Sequence, residues 1–116
     1  MHIVGQSSMY PEMRTAVTAP GGLVVIGVFF QLTTDHSKSS LSKMGNLLSK
    51  IDQLTYAGST VNLQYFDPAV MLPENTDRFF RYQGSLTTPP CTENVQWTMM
   101  REPLYVTNSD VGSHLV

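Results

Sequence analysis

The sequence predicts a β-dominated α+β fold with one clear amphipathic helix. Three observations predict it. The run "GLVVIGVFFQL" from Gly22 to Leu32 is almost unbroken in β-branched and aromatic residues, as a central strand covered on both faces is. The segment "SSLSKMGNLLSKIDQL" places Leu41, Met44, Leu47, Leu48, Ile51 and Leu54 at spacings of three, four and seven, the stripe of a helix with one apolar face. Short apolar segments divided by Gly, Pro, Asn and Asp fill most of the remainder, which is how sequential strands are punctuated.

Taken in chain order, "HIVG" (His2 to Gly5) reads as the tail of a strand, and "PGG" at Pro20 to Gly22 is a strong turn ahead of the long apolar run. Serines ahead of Leu41 supply caps for the helix, and Gly45 within it weakens it by about 1 kcal/mol relative to alanine. Beyond Gly58, "TVNLQYF", "RFFRYQGSL" and "VQWTMM" are strand candidates, with "DPAVMLPENTD" (Asp67 to Asp77) as a turn region between the first two. About five strands with nothing to close the sheet edges predict a piece of a larger architecture.

The chain has 116 residues, is 41% hydrophobic and 14% charged, and carries a formal net charge of -2. This is the composition of one ordinary globular domain, and the absence of a basic balance argues against nucleic acid as a partner. The longest apolar run falls well short of the ~20 residues of a membrane helix, so no membrane segment is expected. "MHIVGQSS" lacks the basic start, apolar stretch and cleavage site of a secretion signal. No asparagine is followed by the spacing of an N-glycosylation site. Cys91 is the only cysteine; it is either a small buried thiol or half of a bridge to a cysteine outside this stretch.

The segment "GSLTTPPC" (Gly84 to Cys91) is more heavily specified than a surface turn requires. Prolines at 89 and 90 fix φ and remove two backbone donors, which a buried strand avoids. Such a loop holds something in place, and the residues that it holds are Thr87 and Thr88.

"YQGSLTTPPCTENVQWTM" (Tyr82 to Met99) closely resembles the α-class carbonic anhydrase segment that reads G-S-L-T-T-P-P and then V-x-W. "MHIV" resembles that family's H-[LI]-V strand, "APGGLVVIGVFFQ" its [PD]-G-L-A-V strand, and "FDPAVMLPENTDRFFRY" its F-D-[PL]-x-x-L-L-P segment. Order and spacing agree up to about Val106. The resemblance implies that residues 1–106 are part of the large twisted, mostly antiparallel sheet of the α-carbonic anhydrase fold, lacking its N-terminal half and final strands, with 107–116 a divergent tail. Gly5, Gln6 and Ser7 depart from the His-aromatic-Asn run that many members carry there.

The chemistry implied is zinc-dependent, reversible hydration of carbon dioxide to bicarbonate, a lyase activity. His2 matches the third zinc histidine. The His-x-His pair that supplies the other two ligands, the acidic residue orienting the third histidine, and the proton-shuttling histidine are all absent from the chain, so the chain alone is expected to be inactive. His36 and His114 lie outside the motif and read as surface residues. Thr87 matches the threonine that takes a hydrogen bond from zinc-bound hydroxide and aims it at carbon dioxide, and Thr88 the neighbour that bonds bicarbonate. Carbon dioxide has no permanent dipole, and Val4, Val25, Leu86, Val95 and Trp97 match the apolar wall that receives it; as plain Val, Leu and Trp they also suit an ordinary core. In secreted and membrane-anchored members a cysteine at the position of Cys91 pairs near the N-terminus, which implies an extracellular or secretory setting and a disulfide partner outside this chain. The other function compatible with these residues is a catalytically silent, carbonic-anhydrase-like extracellular binding module, which keeps the loop and lacks ligand histidines.

Overall fold

The computed structural model describes residues 1–51, 53, 54 and 56–114. Among these described residues there are six strands and three short α-helices, divided between two compact units. The first unit combines Met1–Phe29 with Asn75–Glu102, and the second combines Phe30–Glu74 with the segment from Pro103.

The first unit is a four-stranded sheet in the order β1 (His2–Gln6), β2 (Leu23–Gly27), β5 (Val95–Met100), β4 (Phe79–Gly84). β1 with β2 and β5 with β4 are antiparallel, while β2 and β5 are parallel. A parallel pair needs a long crossover, and the stretch Phe30–Glu74 lies within that connection. Beyond the ladder, Val28 donates to Met1 O at 3.0 Å and the Met1 ammonium donates to Val28 O at 2.9 Å. The sheet is therefore mixed, with two of its three pairings antiparallel, and it keeps the strand-rich character read from the sequence.

Directly paired residues share a face of the sheet. One face carries the rows His2, Gly27, Met99, Phe80; then Val4, Val25, Trp97, Tyr82; then Gln6, Leu23, Val95, Gly84. Its lower end is closed by α1 (Met13–Ala16). Ala16, Leu23, Val25, Val95 and Trp97 form the buried cluster there, with Tyr10, Val17, Leu86 and Met99 packed around it. The turn Pro20–Gly22 permits this closure: Gly21 has φ +63°, and a Cβ on Gly22 would lie 2.0 Å from Ala16 O, so only glycine lets the chain pass so close to the helix end. Asn94, 8% exposed and immediately before β5, fastens the same place, donating from Nδ2 to Ala16 O at 2.9 Å and Ala19 O at 2.8 Å.

The second unit holds a two-stranded parallel ladder, β3 (Phe30–Leu32) with β6 (Leu104–Val106). Around it lie 3-10 turns at His36–Lys38, Ser40–Met44 and Pro68–Met71, and the helices α2 (Gly45–Ile51) and α3 (Asn108–His114). Ser40 Oγ accepts from Tyr105 N at 3.0 Å, and Leu104 and Val106 are buried. α3 opens with a reciprocal cap: Asp110 Oδ2 accepts from Thr107 N at 2.7 Å while Thr107 Oγ1 accepts from Asp110 N at 3.3 Å, the geometry of a capping box. Ser39 Oγ donates a second bond to that carboxylate at 2.9 Å.

Three expectations of element type change. The apolar run from Gly22 to Leu32 is two strands in two sheets, and β2 is covered on one face only: Val25 is 2% exposed and Val24 51%. The single helix over the leucine stripe is a 3-10 turn followed by a helix of seven residues that ends at Ile51. Leu41 and Met44 are buried and Leu54 is 41% exposed, while the Leu48 side chain lies outside the described residues. "TVNLQYF" is not a strand; Val61 and Leu63 are half-buried and Asn62 and Gln64 exposed, so the alternation is real but no ladder partner meets it. Beyond Val106 lies α3.

Candidate functional site

The sequence-nominated residues all fall in the first unit, on or beside one face of its sheet. His2 begins edge strand β1 and is exposed. Its ring meets the Trp97 ring edge to face, with centroids 4.8 Å apart and planes at 77°. Gly27 pairs with His2 on one side and Met99 on the other, and a Cβ on it would stand 2.3 Å from Met99 Sδ and 3.6 Å from Trp97 Cζ3, so the Met99 side chain fills the space that the glycine leaves.

The loop that follows β4 is closed by two backbone bonds, Leu86 N to Thr92 O at 3.0 Å and Cys91 N to Thr88 O at 2.9 Å. The Pro89–Pro90 peptide is cis, and Cys91 has φ +58°. Trp97 Nε1 donates to Ser85 O at 3.0 Å, two residues ahead of Thr87. Leu86 turns inward against the buried cluster, and Thr87, Thr88 and Cys91 are exposed. One indole thus touches the imidazole of β1 and the base of the threonine loop.

The apolar residues divide by accessibility. Val25, Val95 and Trp97 are 2%, 0% and 5% exposed and belong to the core, whereas Val4 is 52% exposed and Leu86 half-buried. Val4, Val25 and Trp97 stand in one cross-strand row with Tyr82, whose ring stacks on Trp97 at 6.3 Å with planes 7° apart. Tyr82, Met99 and Gly27 complete this face and were not picked out as site residues; the period of two along "FFRYQG" and "VQWTMM" places Tyr82 and Met99 there once Trp97 is taken as the reference.

Among the described residues, no three His, Cys, Asp or Glu side chains gather as a group able to hold a metal ion. A catalytic zinc takes three protein ligands and keeps an open position, and His2 offers a single imidazole. These residues do not fit a zinc ion by themselves. His36 lies in the second unit and is exposed; the His114 side chain lies outside the described residues. Cys91 is a free, exposed thiol, which removes the reading of it as a buried one.

Among the described residues, two carboxyls carry shifted acidities, both in the second unit. Backbone and side-chain bonds from Thr107 hold Asp110 below the ordinary aspartate value, reinforced by Ser39 and by the nearby charge of His36. Asp35 is lowered by the Ser37 hydroxyl and then by the Ser37 backbone N–H. Both are caps of short helical turns, a structural task for a carboxylate.

One mixed sheet thus carries an imidazole, a threonine loop braced by two prolines and an apolar row on or beside one face. The comparison with known proteins gives the family. The family model for eukaryotic-type carbonic anhydrase matches residues 1–114, and the chain belongs to that family. It is 34% identical over 111 residues to human carbonic anhydrase 6, covering 96% of this chain and 35% of that protein. It is 37% identical over 100 residues to the dog carbonic anhydrase 6, covering 86% and 30% respectively. A carbonic anhydrase-like protein of Caenorhabditis elegans is 35% identical over 105 residues, 90% of this chain and 30% of its own length. The chain spans about a third of the length of the curated relatives that it matches.

Proposed function

We propose that this chain forms the threonine-loop side of a carbon dioxide-hydrating site, in a protein that carries out the zinc-dependent, reversible conversion of carbon dioxide to bicarbonate. The observation that carries the reading is the convergence on Trp97 of the His2 ring and the Ser85 carbonyl, with the apolar row Val4, Val25, Trp97 beside them. His2 contributes one imidazole to the zinc ligand set, and the remaining ligands come from outside this chain. Thr87 presents a hydroxyl on a loop that cannot swing freely, because a proline pair follows it and two backbone bonds close it. Orientation of this kind is useful only when the hydroxyl is held near its working position. Thr88 stands next to it as the bicarbonate partner. Val4 and Leu86 give the nonpolar substrate an accessible surface, and the sealed Val25 and Val95 hold that surface in place. Membership of the family and the matches to carbonic anhydrase 6 support the same reading.

The reading places the protein in the secretory pathway or outside the cell, with Cys91 bridged to a cysteine beyond this stretch. Its exposure makes the thiol available to such a partner. Mass spectrometry of the full-length protein, alkylated with and without reduction, tests this: a Cys91 that is alkylated without reduction counts against it.

The deciding experiment is stopped-flow hydration of carbon dioxide by the full-length protein, with Thr87→Val as the control. A rate above buffer that falls about a hundredfold in Thr87→Val, the scale of losing one orienting contact, supports the reading. No rate in the zinc-loaded full-length protein overturns it in favour of a silent binding module. The 116-residue chain alone, with zinc added, is expected to show no rate.

A further inference from the structure

Trp97 is 5% exposed and touches more of this site than any wall residue needs to. Its ring meets His2 at 4.8 Å. Its Nε1 donates to Ser85 O at 3.0 Å. On the other side lies Tyr82, and below it the cluster that also receives Leu86. The backbone crosses the indole closely at the loop entrance: a Cβ on Gly84 would stand 2.9 Å from Trp97 Cδ1 and 3.2 Å from Nε1.

An apolar wall needs only shape. A phenylalanine would supply most of that shape, bury a comparable hydrophobic area and leave no polar atom to satisfy. The indole adds one donor with no acceptor function, and in this fold that donor is spent on the main chain of the threonine loop. A hydrogen bond to a main-chain carbonyl fixes the height and tilt of the peptide that carries it. Ser85 is that peptide, and Thr87 follows two residues later.

We infer that Trp97 is a positioning residue: its indole N–H pins Ser85 and thereby sets where the Thr87 hydroxyl stands relative to His2. The inference rests on the reading of Thr87 as the orienting alcohol and deepens it, since the same side chain contacts the imidazole on one side and anchors the alcohol's loop on the other. Trp97→Phe separates wall from pin, because it keeps a ring in the cluster and removes the donor.

Amide hydrogen exchange of the full chain, read by NMR for the unmodified protein and Trp97→Phe, tests the pin without reference to activity. The Leu86 amide, bonded to Thr92 O, is expected to exchange about three- to tenfold faster in the variant, the worth of one intramolecular hydrogen bond. The β2 amides of Val25 and Ile26 are expected to stay unchanged. Equal Leu86 exchange in the two proteins overturns the inference, and so does an equal acceleration through β2, which would mean that the ring supports only the core. Should Trp97→Phe fail to fold, the unmodified chain still decides. Trp97 is its sole tryptophan, so its Nε1–H resonance is unambiguous; protection supports the pin, and exchange at the rate of free indole overturns it. In the full-length protein, Trp97→Phe is expected to lower kcat about tenfold or more with KM little changed. A rise in KM at constant kcat overturns the positioning role. Failure of the unmodified full-length protein to hydrate carbon dioxide counts against the functional reading, and the exchange result then decides the pin by itself.

Discussion

Asn94→Asp is expected to be among the most damaging conservative substitutions in the first unit, and its size can be worked from the geometry. The Asn94 amide nitrogen makes two bonds, to Ala16 O at 2.9 Å and Ala19 O at 2.8 Å. Ala19 O also receives Gly22 N at 3.1 Å, so it keeps a partner when Asn94 is changed. Asn94→Ala removes both bonds, at about 0.5–1.5 kcal/mol each, and relieves the buried Oδ1, which has no partner among the described residues. The net cost is about 1–2 kcal/mol. Asn94→Asp keeps the shape but replaces the donor by oxygen, bringing a carboxylate against two carbonyls in a place 8% exposed. A buried, uncompensated charge costs about 3 kcal/mol or more, so the isosteric change exceeds the truncation. The sign with pH follows from the same contact. Burial and the two carbonyls raise the introduced carboxyl's pKa, so the penalty is full above that raised value and shrinks below it, where a protonated oxygen can donate to one carbonyl again. Equilibrium urea unfolding of the three proteins at neutral and acidic pH reads both effects. If Asn94→Asp is no less stable than Asn94→Ala at neutral pH, the account of the Ala16–Ala19 corner is wrong.

Glycine positions give a matched pair of predictions: Gly22→Ala puts a Cβ 2.0 Å from Ala16 O and should cost about 3 kcal/mol or more, whereas Gly45→Ala meets nothing within 4 Å and should stabilise by about 0.4–1 kcal/mol. Thermal melting of the two variants checks the opposite signs. Asp110→Ala should cost about 0.5–2 kcal/mol at neutral pH through loss of the α3 cap. Because the folded carboxyl titrates below its ordinary value, that contribution is whole above the ordinary aspartate range and vanishes as pH falls through the lowered one. Unfolding curves of the native protein and Asp110→Ala should therefore converge in acid.

Most of the first unit was legible because its signals are local. β1, β4 and β5 sit on "HIVG", "RFFRYQGSL" and "VQWTMM", and the Pro20–Gly22 turn stands where its composition puts it. The long apolar run misled because hydrophobicity along a strand does not say which ladder takes each residue. Val28 is buried at 2% and Phe29 is 62% exposed, and between them the chain leaves one sheet for another. The second unit was read less well for a different reason: its leucine stripe has helical spacing, but Gly45 stands where the 3-10 turn gives way to α2. The cap of α3 lies in "TNSD", a Thr followed three residues later by an acid, which is a helix-start signature, but the apolar run that such a signature should precede is short there. For the proposed site, motif order nominates His2 and the threonine loop, while the Trp97 Nε1 bond to Ser85 O is a contact that no sequence spacing reveals.

The two sides of the proposed site are held by unequal means, and the difference follows from where each sits in the sheet. The threonine loop has three separate restraints: the Trp97 bond to Ser85, the Leu86 bond to Thr92, and the Cys91 bond to Thr88, with Leu86 buried behind them. Opening it requires breaking several weak interactions together, so local opening is costly even though each is modest. His2 stands on an edge strand, paired on one side only, with Trp97 as its ring contact and the Met1–Val28 bonds just ahead of it. Edge strands expose a free row of backbone donors and acceptors and are the weaker part of a sheet. A substrate without a dipole gains little from being bound and much from being met at the right angle. On the proposed function, rigidity is worth most at the Thr87 hydroxyl, and it is there that this sequence places a proline pair, two closing backbone bonds and its only tryptophan.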